Sequence, residues 1–164
     1  MKIAVISDTH NNLNNIQAVR QILISENIDA IIHCGDVTEP GVLDYFGDFV
    51  LYCAFGNGDF GMEIEQRVRW FNTQNCADDN LDLVLGSKKV FVTHGHVLSD
   101  LRKAIESGTN DYVFHGHTHR YKDEIVGKTR VINPGSLGGK KVDDRSFVIL
   151  DLESGELKRL IEPF

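Results

Sequence analysis

Five short apolar runs in this chain each end in Asp, Asn or His with glycine alongside. The run at 3–6 leads into Ser7-Asp8-Thr9-His10, and the run at 30–32 into His33-Cys34-Gly35-Asp36. Residues 50–55 lead into Gly56-Asn57-Gly58-Asp59, 90–93 into His94-Gly95-His96, and 112–114 into His115-Gly116-His117-Thr118-His119. Apolar runs of this length bounded by turn residues read as buried strands. Strands that all deliver polar groups at the same end belong in a sheet whose carboxyl edge gathers them, which is where open α/β sheets bind ligands.

The intervening segments agree. Leu13, Ile16, Val19 and Leu23 recur as one face of a helix that Asn11 or Asn12 can cap, and a short helix is predicted at 42–46. Strand–helix–strand repetition implies right-handed crossovers and a largely parallel sheet. The second half changes style. Residues 81–85 and 89–93 flank Gly86-Ser87 as a hairpin, Leu98, Leu101 and Ile105 mark a helix closed by Gly108, and 124–126 with 129–132 flank Gly127-Lys128. Residues 147–152 and 157–161 follow around Ser154-Gly155, so the tail is read as antiparallel. The predicted class is α/β: two sheets packed face to face with helices outside. Without a linker, repeat or low-complexity stretch, residues 1–164 are expected to form one domain.

Composition closes off other classes. With 41% hydrophobic and 25% charged residues the chain is an ordinary globular one, and no apolar run approaches the roughly 18 residues of a membrane span. The first residues, MKIAVIS, meet Asp8 too soon for a secretory signal, so a cytoplasmic location with no membrane partner is expected. A net charge of −7 argues against long nucleic acid, whose affinity comes from Lys and Arg on phosphates. Cys34, Cys53 and Cys76 form no C-x-x-C and are read as reduced thiols.

The gathered donors are imidazole, carboxylate and one amide. Without cysteine in a ligand motif, sulfur-rich structural zinc is disfavoured, and an all-oxygen Mg²⁺ or Ca²⁺ site does not suit the histidines. Mixed N/O ligation suits Mn²⁺, Fe²⁺, Zn²⁺, Ni²⁺ or Co²⁺. Seven side chains are too many for one ion and distribute over two with one bridging carboxylate. Paired divalent cations suit in-line attack on phosphorus and would offset more than half of the negative charge.

In that order, Asp8-x-His10, Gly35-Asp36, Gly56-Asn57-x-Asp59, His94-Gly95-His96 and Gly116-His117-Thr118-His119 resemble the calcineurin-like metallophosphoesterase superfamily. They are most similar to its small bacterial and archaeal phosphodiesterases, which share a fold with the eukaryotic retromer subunit. The resemblance spans about residue 3 to the Asn133-Pro134-Gly135-Ser136 turn and implies a four-layer α/β/β/α sandwich. It implies that Asp8, His10, Asp36 and His119 hold one metal ion and that Asp36, Asn57, His94 and His117 hold the other. Two divalent ions are implied, with Mn²⁺ the first choice and Ni²⁺, Zn²⁺, Fe²⁺ or Co²⁺ as alternatives. A metal-bridging hydroxide would be the nucleophile toward a small phosphodiester. His96 would touch phosphate from outside the ligand set, and Asp59 would orient a neighbour. Larger relatives carry a histidine, held to protonate the leaving group, where this chain has Gly58. His96 or metal-bound water is left to substitute, and good leaving groups are expected.

Other features receive plainer readings. His33 and His115 are expected to be hydrogen-bonded structural residues, and Cys34 a packed thiol beneath the site. Residues 135–141 lack P-loop spacing, since Pro134 and Lys141 occupy the first Gly and last Ser/Thr positions, so the Asn133–Ser136 turn is expected to line the metal cleft instead. Phe46, Phe49, Tyr52 and Phe55 read as core. Trp70-Phe71, in a weakly patterned stretch, is the place to look for a substrate rim or a subunit contact in a homo-oligomer. A phosphomonoesterase and a non-catalytic protein-interaction scaffold are the competing functions. Competent donors at all seven ligand positions favour catalysis over the scaffold.

Overall fold

The computed structural model describes residues 1–139 and 145–163; Lys140 and Lys141 of the rejected P-loop reading lie outside them. In chain order the elements are β1 (Lys2–Ile6), α1 (Leu13–Ser25), β2 (Ala30–His33), a 3₁₀ helix (Pro40–Phe46), β3 (Val50–Ala54), α2 (Gly61–Phe71) and β4 (Cys76–Asp78). There follow β5 (Asn80–Leu85), β6 (Lys88–Thr93), α3 (Leu98–Glu106), β7 (Tyr112–Phe114), β8 (Lys122–Val126), β9 (Thr129–Asn133), β10 (Ser146–Asp151) and β11 (Leu157–Ile161). Asn12 caps α1, its side chain accepting from the Asn15 amide.

One sheet runs β11-β10-β1-β2-β3-β4 and the other β5-β6-β7-β9-β8. Strands β1 to β4 are mutually parallel, joined through α1, the 3₁₀ helix and α2, while β10 and β11 extend the sheet antiparallel from β1. Alternation along each strand then separates three cores. Ala4, Ile6 and Ile31 face Ile16, Val19 and Leu23 of α1, whereas Ile3, Val5 and Ile32 pack with Val90, Val92 and Phe114 of the second sheet. On the far side of that sheet, Val113 and Val131 pack with Leu101, Ala104 and Ile105 of α3. Helix, sheet, sheet, helix is the four-layer order expected. Burial of β1 and β2 on both faces explains why they read as unbroken apolar runs.

Two elements went unread and one expectation needs correction. Helix α2 and strand β4 escape the pattern analysis. Met62 and Trp70, both exposed apolar residues, blur the Ile64–Val68 face of α2, whose N-cap position is Phe60, without a capping side chain. β4 is three residues of Cys-Ala-Asp with no β-branched side chain. The tail is also not purely antiparallel. The hairpin of β8 and β9 places β8 at the edge, so β9 pairs in parallel with β7.

Candidate metal centre

The polar ends of β1, β2, β3, β6 and β7 come together at one edge of the sandwich. Asp8 is fully buried, and its two oxygens have different fates. Oδ2 accepts from the Ser7 hydroxyl (2.5 Å) and the His117 amide (3.1 Å). Among the described residues Oδ1 has no hydrogen-bond partner, although His119 Nε2 stands 3.1 Å away and His10 Nε2 3.8 Å away. The two Nε2 atoms of His10 and His119 are themselves 3.3 Å apart. Two donors about 2.0–2.2 Å from one ion stand roughly 3.0–3.5 Å from each other, so this spacing is that of ligands around a shared cation. A buried carboxylate oxygen left without a donor is costly unless such a cation serves it.

Asp36 divides its carboxylate between two sets of rings. Oδ2 lies 3.6 Å from His10 Nε2, and Oδ1 lies 3.6 Å from His94 Nε2 while accepting from the Gly58 amide (2.8 Å). His94 is fully buried, and its Nδ1 meets the Cys34 carbonyl at 2.8 Å. That contact places the ring proton on Nδ1 and leaves Nε2 bare toward the site, an arrangement common to metal-bound histidines. His117 Nδ1 stands 3.3 Å from that Nε2. The carboxylates and rings able to hold a cation group as Asp8, His10 and His119, and as Asp8, Asp36 and His94. Asn57 is exposed in the turn between Gly56 and Gly58. His96 is exposed outside these groups, its ring 5.4 Å from that of His94 and 6.3 Å from that of His117.

The turns that hold these groups are strained. Asp8, His10, Asp36, His117 and His119 all take left-handed backbone conformations, with φ of 52°, 41°, 55°, 67° and 59°. Each such non-glycine residue costs of order 1–3 kcal/mol and persists only where its surroundings over-determine it. Asp59 supplies part of that frame, accepting from the amides of Asp36 (2.9 Å), Gly56 (2.8 Å) and Thr38 (2.7 Å). Gly56 is obligatory: a Cβ there would stand 2.1 Å from Asp36 Oδ1.

Electrostatics follow from burial and neighbours. Burial pushes the Asp8 carboxyl up, but the His119 ring, the Ser7 hydroxyl and the nearby His94 ring outweigh it and hold it below its ordinary value. Asp8 in turn raises His119. Burial raises Asp59 against the amides it accepts from. Burial pushes His33 down to about 3 against the pull of Asp8, so that ring is neutral.

Several expected roles shift. The Asn133–Ser136 turn braces the site from beneath: Asn133 and Ser136 are fully buried. Asn133 Nδ2 donates to the Gly116 carbonyl (2.7 Å) and Thr118 Oγ1 (3.1 Å), and the Ser136 hydroxyl donates to the Asp8 carbonyl (3.0 Å). The wall of the cleft is formed further on, by Gly139 with Asn12, His10 and His119 around a cavity of about 450 Å³. His115 is buried against Gly116 and Asn133, and Cys34 is buried with its thiol pushed up by desolvation, both as expected of structural residues. Phe46 is core, with Phe49 and Phe55 half-buried against the same cluster and Tyr52 half-buried against the core between the two sheets. Phe71 packs into the first core, whereas Trp70 is 84% exposed beside Pro40, Glu63 and Arg67, on a cavity separate from the histidines. Ser7 and Thr9 carry more than the sequence analysis gave them; their only signal was their place inside the Ser-Asp-Thr-His block.

A strand-edge cluster of carboxylates and imidazoles on a four-layer sandwich defines a metallophosphoesterase. Residues 1–155 match the calcineurin-like phosphoesterase superfamily domain, and the chain belongs to that family, with the divalent metal ions that membership implies. It is 35% identical to the phosphodiesterase MJ0936 of Methanocaldococcus jannaschii over 98% of this chain and 99% of that protein. It is 30% identical to the probable metallophosphoesterase YsnB of Bacillus subtilis over 94% of this chain and 86% of that protein. A solved structure described as a novel archaeal phosphodiesterase superposes with a TM-score of 0.92 at 35% identity, covering 98% and 99% of the two chains. A structure of a single mutant of Vps29 from Entamoeba histolytica, at 19% identity and a TM-score of 0.72 over 98% of this chain and 99% of that one, shares the fold.

Proposed function

We propose that this chain is a metal-dependent phosphodiesterase acting as one domain, with two divalent cations, Mn²⁺ first among them. Asp8, His10, Asp36 and His119 would hold one ion, and Asp36, Asn57, His94 and His117 the other. The observation that carries this reading is the divided Asp36 carboxylate, one oxygen toward His10 and the other toward His94. Asp8 Oδ1, buried and without a hydrogen-bond partner among the described residues, supports it. Such ions, when bound, neutralise phosphoryl oxygens and acidify water. The protein's part is placement: Asp59 fixes the amides around Asp36, and His96, exposed beside His94 and His117, would contact a phosphate oxygen. A Cβ at Gly58 would lie 3.2 Å from Asp36 Oδ1, so this position overlooks the centre and carries no acid. Diesters with good leaving groups are therefore the favoured substrates. The relative named a phosphodiesterase supports diesters over monoesters.

The test is hydrolysis of a chromogenic phosphodiester and its matched monoester by chelator-stripped protein, with and without Mn²⁺, alongside Asp36→Asn. Mn²⁺-dependent diester turnover lost in the variant is the expected result. Preference for the monoester would reassign the substrate class, and stoichiometric metal binding without turnover would point to a scaffold.

A further inference from the structure

One buried ring beside this centre belongs to neither ligand set. His33 ends β2, shares a sheet face with Ile31, and is fully buried. The Gly35 amide donates to its Nδ1 at 3.1 Å, which leaves the ring proton on Nε2, and Nε2 meets Thr9 Oγ1 at 3.2 Å. Both nitrogens of a neutral imidazole are thereby satisfied, one by each of two turns. We infer that His33 is a positioning residue, a neutral strut that locks the turn carrying Asp8 and His10 to the turn carrying Asp36.

The strain around Thr9 gives the strut its purpose. Thr9 lies between two left-handed residues, Asp8 and His10, and a third, Asn11 (φ 57°), follows. The flanking backbone is tied down: the Asp8 amide donates to the Gly35 carbonyl (2.9 Å), the His10 amide to the Asp36 carbonyl (3.2 Å), and the Gly138 amide to the Asp8 carbonyl (2.8 Å). The Thr9 side chain adds a tie at the centre of the strained run, and it reaches His33. Gly35 is itself at φ 92° immediately before Asp36. The rigid ring therefore adds a side-chain tie to the two backbone hydrogen bonds that join these turns, whose carboxylates and imidazole must meet at one point. Without it only the flanking backbone bonds hold the strained run at Thr9, and a cation would have to reorder that run on binding.

This inference rests on reading Asp8, His10, Asp36 and His119 as a metal site, and the experiment separates the two. Mn²⁺ is titrated calorimetrically into chelator-treated wild type, Thr9→Val, His33→Phe and the double variant, and metal-free Tm is recorded for each. Thr9→Val removes one hydroxyl at nearly constant volume and decides the matter should His33→Phe fail to fold. The expected result is Mn²⁺ affinity weakened about tenfold to a hundredfold in each single variant, with the double variant no weaker than His33→Phe. Weakening of no more than about threefold, whatever happens to metal-free Tm, would leave His33 a packing residue and overturn the inference. Losses that multiply in the double variant would overturn it too, since the two groups would then act separately. A wild type that binds no Mn²⁺ would instead sink the metal-site reading itself.

Discussion

Two charged clusters lie at opposite ends of β1, and they are built on opposite principles. At the start of the strand Glu26 sits between Lys2 (2.6 Å) and Lys158 (2.7 Å), and every charge has a partner of the other sign. At the end of the strand Asp8 and Asp36 face the rings of His10, His94, His117 and His119, and ring nitrogens approach one another at 3.3 Å. The first cluster is complete as it stands. The second turns electron-pair donors toward one another, with Asp8, His10, Asp36, His117 and His119 on backbone held in left-handed conformations. A polar cluster made for stability satisfies itself, whereas one made for a cation stores strain and leaves an oxygen such as Asp8 Oδ1 without a donor.

That contrast can be broken at several points. The largest effect is expected from Asp36→Asn or from chelation, either of which should lower diester turnover by at least about a hundredfold, with Mn²⁺ restoring the stripped wild type only. A steady-state assay with metal add-back decides it; retained activity in Asp36→Asn would show that the carboxylate joins nothing. Next comes Asp59→Asn, which keeps the shape but weakens the grip on three amides and should cost about tenfold to a hundredfold in metal affinity or turnover. Full activity there would mean that the amides of Asp36 and Gly56 need no such anchor.

Gly56→Ala sharpens the same point in stability. Its Cβ would crowd the Asp36 amide (2.3 Å) and carboxylate, so a loss of about 1–3 kcal/mol is expected from denaturant unfolding. The smallest effect belongs to the complete cluster. Lys158 and Lys2 hold the Glu26 carboxyl at about 2, below its ordinary 4.5. A group depressed on folding stabilises above its unfolded pKa, and that contribution fades as pH falls from 4.5 through about 2. Glu26→Gln should therefore lower Tm slightly near neutrality, with the gap to wild type closing across that acid window. A gap that stays constant down to pH 2 would show that the pairs are inert.

Much of this could be read along the chain because each donor block is local to the end of its own strand. Asp8 and His10 follow β1, Asp36 follows β2, and the histidines of the later blocks follow β6 and β7, so recognising the strands located the candidate ligands. Asn12 as the cap of α1 was legible for the same reason. Elements with weak local signals were not. In α2 two exposed apolar residues hide the buried face, and β4 is too short to show alternation. The bracing roles of Asn133 and Ser136 were equally hidden, since a turn motif does not say whether it opens onto a cleft or lies beneath one.

The amino-acid sequence by itself determined that strands would deliver carboxylates and imidazoles to one edge, because alternation and turn chemistry are properties of neighbouring residues. Only the tertiary structure decided how those groups face each other. The His117 amide reaches Asp8 Oδ2 across 109 residues, and the Ser136 hydroxyl reaches the Asp8 carbonyl across 128. Whether Asp36 splits its oxygens between two sets of rings, and whether His33 spans two turns, depends on the register and stacking of distant strands. Those are set by packing of the buried faces, which no local window of the chain contains.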